Sequence, residues 1–410
     1  MKKFVLTVLF TTSCCAVAAN PEPIIFGTVI GMNGQTYTGS IRWGDQETFL
    51  SDIFNGRKIA TVGIEHLSDD EIAELTDHQT GPQATLGDIQ ITLKPIFGKN
   101  IELPYFNVPF GSVKLLEIDD KKNLFTATLQ DGSTIVSDGS SSNDLSSDIF
   151  VKNLQGETKE FELNELSLII FSKAPAAALP FGDGIYGTVT SSIGTFEGRV
   201  MWDKDERLTY EKLDGEDESQ EHAVLFSDIK SIEKNGNFSI VVLRNETTMN
   251  LTGTNDVNKG NRGIWIDNPD LGRVEIEWSQ FKKLVIEDVS VKWLDFDDYA
   301  SITKPLKGQV ELKDGSTLEA DSITYDMNQQ SSSELIDVDV NKANREIPFR
   351  IIQKINVINE QAVGFMLQDQ TTILAYGNRS VTRENNGILI RNQGTYRWIP
   401  WEQVQTVTFK

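Results

Sequence analysis

The chain has 410 residues, a formal charge of −22 and 39% hydrophobic residues. The hydrophobic share excludes a chain disordered by composition, and the length carries two to four domains. The acid excess argues against nucleic acid or anionic lipid as partners, because both call for clustered Lys and Arg.

The first residues have the layout of a secretory signal peptide. Lys2 and Lys3 give a positive start, residues 4–17 are an apolar run, and Ala16-Val17-Ala18-Ala19 ends it with small residues. Cleavage is expected after Ala18 or Ala19, so that residues 1–19 leave the mature chain. A membrane anchor would need about twenty apolar residues, and this run is shorter and includes Thr and Ser. A lipoprotein at Cys14 is the alternative, although Thr11 stands where Leu is usual. Both cysteines, Cys14 and Cys15, lie in the leader, so the mature chain has neither disulfide nor thiol chemistry. It is expected in the periplasm or outside a bacterial cell, with no membrane span after cleavage.

From Ile25 the pattern is all-β. A first opening, GTVIGMNGQTYTGSIRWGD, places Gly27, Gly39 and Trp43. It recurs as GTVTSSIGTFEGRVMWDKD with Gly187, Gly198 and Trp202, and more loosely as GQVELKDGSTLEADSITYD with Gly308, Asp321 and Tyr325. Between these lie TATLQDGSTIVSDGSSSND, IVVLRNETTMNLTGTNDVN and GFMLQDQTTILAYGNRSVT, each a strand, a polar turn and a second strand.

One nine-residue phrase closes every unit. Its anchors are Phe110, Leu163, Phe226, Trp278, Phe349 and Trp401, each followed by apolar residues three and six positions on, as in Phe110/Val113/Leu116. A spacing of three suggests a 3₁₀ turn, and the spacing of two that usually follows is strand alternation. Each copy is therefore expected to be a turn and then a strand aimed at one core.

The intervals Phe110–Leu163, Phe226–Trp278 and Phe349–Trp401 are 53, 52 and 52 residues, against 63 and 71 for Leu163–Phe226 and Trp278–Phe349. This predicts three tandem repeats of about 120 residues, each of two β units. The expected divisions are 20–173, 181–290 and 291–410, with a linker at 174–180 and a second near 297–305. One stretch breaks the pattern. Residues 66–80 suggest a short helix inserted in the first repeat, with Ser68 and Glu71 as a capping box and Ile72 and Leu75 on its apolar side.

A Gly-containing strand, a turn, a long bent strand, hairpins and a 3₁₀ turn before the last strand resemble a small Sm-like β-barrel. VELKDGSTLEADSITYD, with Asp314-Gly315 in its first hairpin and Asp326 after its bent strand, is the nearest stretch. The resemblance implies fold only. The Arg-Gly and Asn signatures with which Sm proteins bind RNA are absent. Each pair of units merged into a β-sandwich, giving three domains, is the alternative; a ring of six blades fits the unequal intervals less well.

Catalytic sets are sparse. His66, His78 and His222 form no HxH or HxxxH pair, and no GxSxG motif is present. Paired carboxylates arise by chance among sixty acidic residues. The turns 139–144 and 253–258 carry oxygen side chains of a kind that bind calcium, yet no dense ligand loop accompanies them and Asn and Asp are also turn formers. No catalytic residue, metal ligand or cofactor is assigned. Trp265, Trp293 and Trp398 fall outside the phrase and are the candidate binding residues, since an exposed Trp stacks on sugars or anchors a partner; a second covered face between units is the plainer reading.

The function expected from these features is a non-enzymatic cell-envelope adaptor or scaffold, whose partner is an envelope protein or a glycan. A carbohydrate-binding protein using Trp265 or Trp293 is the alternative, and a hydrolase a further one.

Overall fold

The computed structural model describes residues 22–45, 47–60, 63–80, 93–96, 99–102, 104–139 and 144–410. The leader residues 1–19 and most of the turn at 139–144 lie outside the described residues. The fold is all-β, and no helix among the described residues is long and apolar enough to cross a membrane.

Residues 26–171 hold β1 (Phe26–Gly31), β2 (Thr36–Trp43), β3 (Ile53–Arg57), α1 (Asp69–Thr80), β4 (Leu93–Ile96), β5 (Lys99–Glu102), β6 (Tyr105–Pro109), β7 (Val113–Asp119), β8 (Leu124–Leu129), β9 (Thr134–Ser137), β10 (Ile149–Lys152), β11 (Thr158–Phe161) and β12 (Leu166–Phe171). Residues 186–286 hold β13 (Tyr186–Ser191), β14 (Thr195–Met201), β15 (Lys212–Glu216), β16 (Glu221–Leu225), β17 (Ile229–Asn235), β18 (Phe238–Leu243), β19 (Thr248–Leu251), β20 (Ile264–Asn268), β21 (Gly272–Ile276) and β22 (Phe281–Ile286). After α2 (Phe296–Ile302) come β23 (Gly308–Leu312), β24 (Thr317–Ala320), β25 (Ser322–Tyr325), β26 (Leu335–Val340), β27 (Ala343–Pro348), β28 (Ile352–Asn359), β29 (Ala362–Leu367), β30 (Thr372–Tyr376), β31 (Ile388–Asn392), β32 (Thr395–Ile399) and β33 (Val404–Phe409).

The first segment forms a sheet in the order β11-β10-β2-β1-β12-β7-β8-β9, and the second runs β21-β20-β14-β13-β22-β17-β18-β19. The third continues that second sheet as β27-β26-β30-β29-β28-β33-β23-β24, with β25-β31-β32 beside it. Two separate barrels per segment would pair β1 with β7 and β8 with β12. Instead β1 pairs with β12, β12 also with β7, and β7 with β8, so the two units of a segment share one sheet. No sheet closes on itself among the described residues.

The anchor phrase is the joint that makes this possible. Five of its six copies start a 3₁₀ turn and the sixth, at Trp278, a turn of similar length, and each runs straight into a strand. The anchors are all buried, and so are Val113, Leu116, Ile229, Ile232, Ile352 and Ile355 behind them. Each sheet's first strand crosses its closing strand so tightly that only Gly fits. A Cβ at Gly27, Gly187 or Gly308 would lie 2.4, 2.1 or 1.9 Å from the carbonyl oxygen of Ile170, Val285 or Thr408. The long bent strand is continuous as β2 but split into β24 and β25, where Asp321 stands in place of the second Gly and accepts the Gln393 N–H (2.9 Å).

The two linkers behave differently. Residues 174–180 run without strand or helix, and Phe181 lies beneath Lys152 and Arg42. The second expected linker is instead a capped helix: Asp295 and Asp298 form a capping box, and Lys173 pairs with Asp295 and Asp297. Tyr299 of α2 enters the core of the first segment, its ring filling the space a side chain at Gly111 would need. Helix α1 starts as the sequence suggests, with Ser68 and Glu71 bonded reciprocally (2.8 and 3.2 Å). Ile64, Leu67, Ile72 and Leu75 pack there against Met327, Leu389 and Trp398 of the third segment.

Candidate functional site

The three candidate tryptophans are not brought together. Trp265 lies on the opposite face of β20 from Ile264 and Ile266, half-buried between Lys204 and Arg273 at 5.2 and 5.4 Å. Trp293 is covered, its ring 5.8 Å from that of Tyr186. Trp398 is covered by the α1 cluster, and its indole N–H donates to the Asn386 carbonyl (2.9 Å). Among the histidines, His66 stacks on Tyr396 (4.3 Å) and His222 meets Asp217 (2.8 Å).

The sequence reading missed a buried charge network. It grows from one turn used three times: Trp43–Asp52, Trp202–Glu211 and Tyr325–Glu334 each end in an acid that accepts two backbone N–H groups of its own turn. Asp52 accepts from Thr48 and Phe49, Glu211 from Arg207 and Leu208, and Glu334 from Gln330 and Ser331, all within 2.6–2.9 Å. Two of the three acids then reach another segment. Glu334 takes Lys58 (2.5 Å) of the first. Asp52 takes Arg199 (2.6 Å) and Arg207 (3.1 Å) of the second.

Arg199 is fully buried and also meets Glu22 (2.9 Å) and Asp267 (2.9 Å). Asp267 continues to Arg273 (2.7 Å). Burial pushes Glu22 up to about 7 against the pull of Arg199. Burial acts on Asp52 too, but Arg199, Arg207 and two backbone donors outweigh it and hold this carboxyl below its usual range. The network clamps the first segment to the second.

The same turn places Glu47, Glu206 and Gln329 at one position, each bridged to the aromatic that opens the turn. Burial pushes both carboxyls up to about 8, so at neutral pH they are largely protonated and resemble the Gln of the third turn. A folded-state value above the unfolded one stabilises fully below the unfolded value, and that stabilisation is lost as pH rises through about 8. Glu206→Gln is therefore expected to change the melting temperature little at pH 4, below the unfolded value of 4.5, and to raise it relative to wild type at pH 9. Melting curves at the two pH values check this; a difference that does not grow with pH would show that Glu206 is ionised in the fold.

A cavity of about 360 Å³ opens between the first and third segments. Ile64, Leu75 and Tyr105 form one wall, and Asp326, Met327, Asn328, Gln329, Asp337 and Asn386 much of the other. The polar wall comes from the third copy of the repeated turn and its neighbours. Asp326 accepts from the Asn386 N–H and the Ser380 hydroxyl (both 2.6 Å), and Asp337 from the Asn344 and Asn378 amides (2.5 and 3.1 Å). Burial holds Asp337 above the ordinary carboxylate range.

A second feature is an open strand edge. β11 ends its sheet, and Thr158, Lys159 and Glu160 are exposed. The Asn153 N–H donates to the Glu157 carbonyl (2.9 Å), so alternation along the ladder turns the N–H and C=O groups of Thr158 and Glu160 outward. β21 occupies the corresponding end of the second sheet and is covered by β27 through the pairs Arg273↔Glu346 and Val274↔Arg345. No family model, curated protein or solved structure matches the chain.

Proposed function

We propose that the protein is a non-enzymatic, exported adaptor of the bacterial cell envelope, built from three copies of one paired β design. In this reading it holds an extended peptide of a partner by strand addition on β11. The single observation that carries it is the contrast between two equivalent edges: β21 is completed by β27 of the same chain, whereas β11 presents the same unpaired backbone groups to solvent. An edge with free N–H and C=O groups is a template for another strand. Charged Lys159 and Glu160 along it disfavour indiscriminate pairing. The shared strand order of the first two sheets, the three equivalent turns and the six anchor joints support the repeat design. The Sm-like likeness describes the local path of each unit, with the closing strands exchanged between the two units of a pair. Export rests on the leader sequence.

Glu160→Pro removes one outward N–H and no ladder hydrogen bond to β10, because its inward neighbours Lys159 and Phe161 carry those. The mature protein and this variant are each crosslinked in an extract of the native envelope and recovered. One protein captured in stoichiometric amount by the wild type, and reduced at least about tenfold with the variant at unchanged melting temperature, is the expected result. Equal capture by both, or recovery of glycan alone, would remove the strand-addition reading.

A further inference from the structure

The cavity between the first and third segments carries an inference independent of the adaptor reading. The side-chain carbonyls of Asn328, Gln329 and Asn386 line it and are buried without a hydrogen-bond partner in the protein. Gln329 and Asn386 are only 6% and 8% exposed. Buried amides are normally satisfied, and leaving one unpaired is costly. Three such groups at one cavity are a cost that a bound molecule would offset.

The chemistry of the wall narrows the class of molecule. A side-chain amide offers a donor and an acceptor, which is the complement of a hydroxyl. Asp337 is held by the side-chain amides of Asn344 and Asn378 and keeps further acceptor capacity toward hydroxyl hydrogens. Ile64, Leu75, Met327 and Leu335 supply apolar surface for C–H faces. Arg379, the cation in the lining, already has a partner within the protein, and Lys58 is engaged by Glu334 and by the Asn328 backbone carbonyl (2.7 Å), so neither calls for an anionic ligand. Among the described residues no group of three or more His, Cys, Asp or Glu is placed to hold a metal ion. The volume lies in the small-molecule range.

We propose that this cavity binds a small neutral polyhydroxylated molecule, a monosaccharide, disaccharide or cyclitol, recognised by Gln329, Asn386 and Asn328. Trp265, outside the lining, plays no part in this site.

The test uses the mature full-length protein and saturation-transfer NMR with glucose, galactose, mannose, N-acetylglucosamine, ribose, trehalose, maltose and myo-inositol, each followed by a melting curve. At least one is expected to receive saturation and to raise the melting temperature. Gln329→Leu is expected to weaken that binding by about tenfold or more. Its own unfolding temperature without sugar should match or exceed wild type, because the carbonyl it removes has no protein partner. Asn386→Leu should weaken binding likewise, and Trp265→Ala should leave it intact. Failure of every sugar to bind the wild-type protein would overturn the proposal. So would binding that survives both leucine substitutions, or stabilisation by calcium or 1,4-diaminobutane alone.

Discussion

Replacing Arg199 with methionine is expected to cost about 3–5 kcal/mol at neutral pH, the range for breaking a buried ion cluster by removing one partner. The guanidinium is fully buried and faces Glu22, Asp52 and Asp267 at 2.9, 2.6 and 2.9 Å. Without it Asp52 keeps Arg207 and Asp267 keeps Arg273, but Glu22 loses its ion-pair partner. Glu22 already stands at about 7 because burial outweighs Arg199, and loss of that cation moves it further up. A carboxyl whose folded value exceeds its unfolded one stabilises below the unfolded value and loses that contribution as pH rises through the folded value. The defect should therefore be smallest near pH 5 and largest near pH 8. Urea unfolding of both proteins at pH 5, 7 and 8 measures it. A loss under about 1 kcal/mol, or one independent of pH, would mean that Arg199 contributes as packing and not as a charge. Because its partners lie in two segments, the variant should also unfold less cooperatively, the first segment separating from the rest.

How far such features are visible in a sequence depends on the range of the interaction behind them. The turn-and-strand joints are legible because their cause is local: an apolar anchor followed by Val113 and Leu116, or by Ile352 and Ile355, fixes a face within nine residues. The Ser68/Glu71 cap is legible for the same reason. Strand partners are not. β7 and β12 carry similar alternation, and that pattern states which face is buried but not whether β1 pairs with one or the other. Arg199 and Arg207 stand in a polar stretch with no local mark of burial, since Asp52 lies some 150 residues earlier in the chain. The cavity wall had a signal that went unread. Aligned on their first aromatic, WGDQETFLSD, WDKDERLTYE and YDMNQQSSSE share an acid at the last position, and that register marks Gln329 as a counterpart of Glu47 and Glu206. Trp293 and Tyr299 pack against other segments because α2, expected as linker, docks on the first core.

The anchors should differ in weight in a way that follows the order of the units. Phe110, Phe226 and Phe349 close the first unit of each segment and are 0, 0 and 1% exposed, against 5, 7 and 3% for Leu163, Trp278 and Trp401. Phe110 shows why the first set lies deeper. Its ring is 5.3 Å from Trp43, 5.4 Å from Phe54 and 6.1 Å from Phe171, so it touches the bent strand, β3 of the antiparallel β3–β6 pair and the closing strand together. Truncation removes transfer energy and also leaves a cavity that three rigid elements cannot collapse into. Phe110→Ala is expected to cost about 3–5 kcal/mol, and Leu163→Ala about 2–3, nearer the low end for buried leucine. Phe110→Leu, which retains most of the volume, should cost about 1.5 kcal/mol. Urea unfolding followed by near-ultraviolet circular dichroism reads both the loss and the state of Trp43 beside the new cavity. If Phe110→Ala and Leu163→Ala lose the same amount, the two units of a segment contribute alike to its core, and the deeper placement of the first anchor has no energetic meaning.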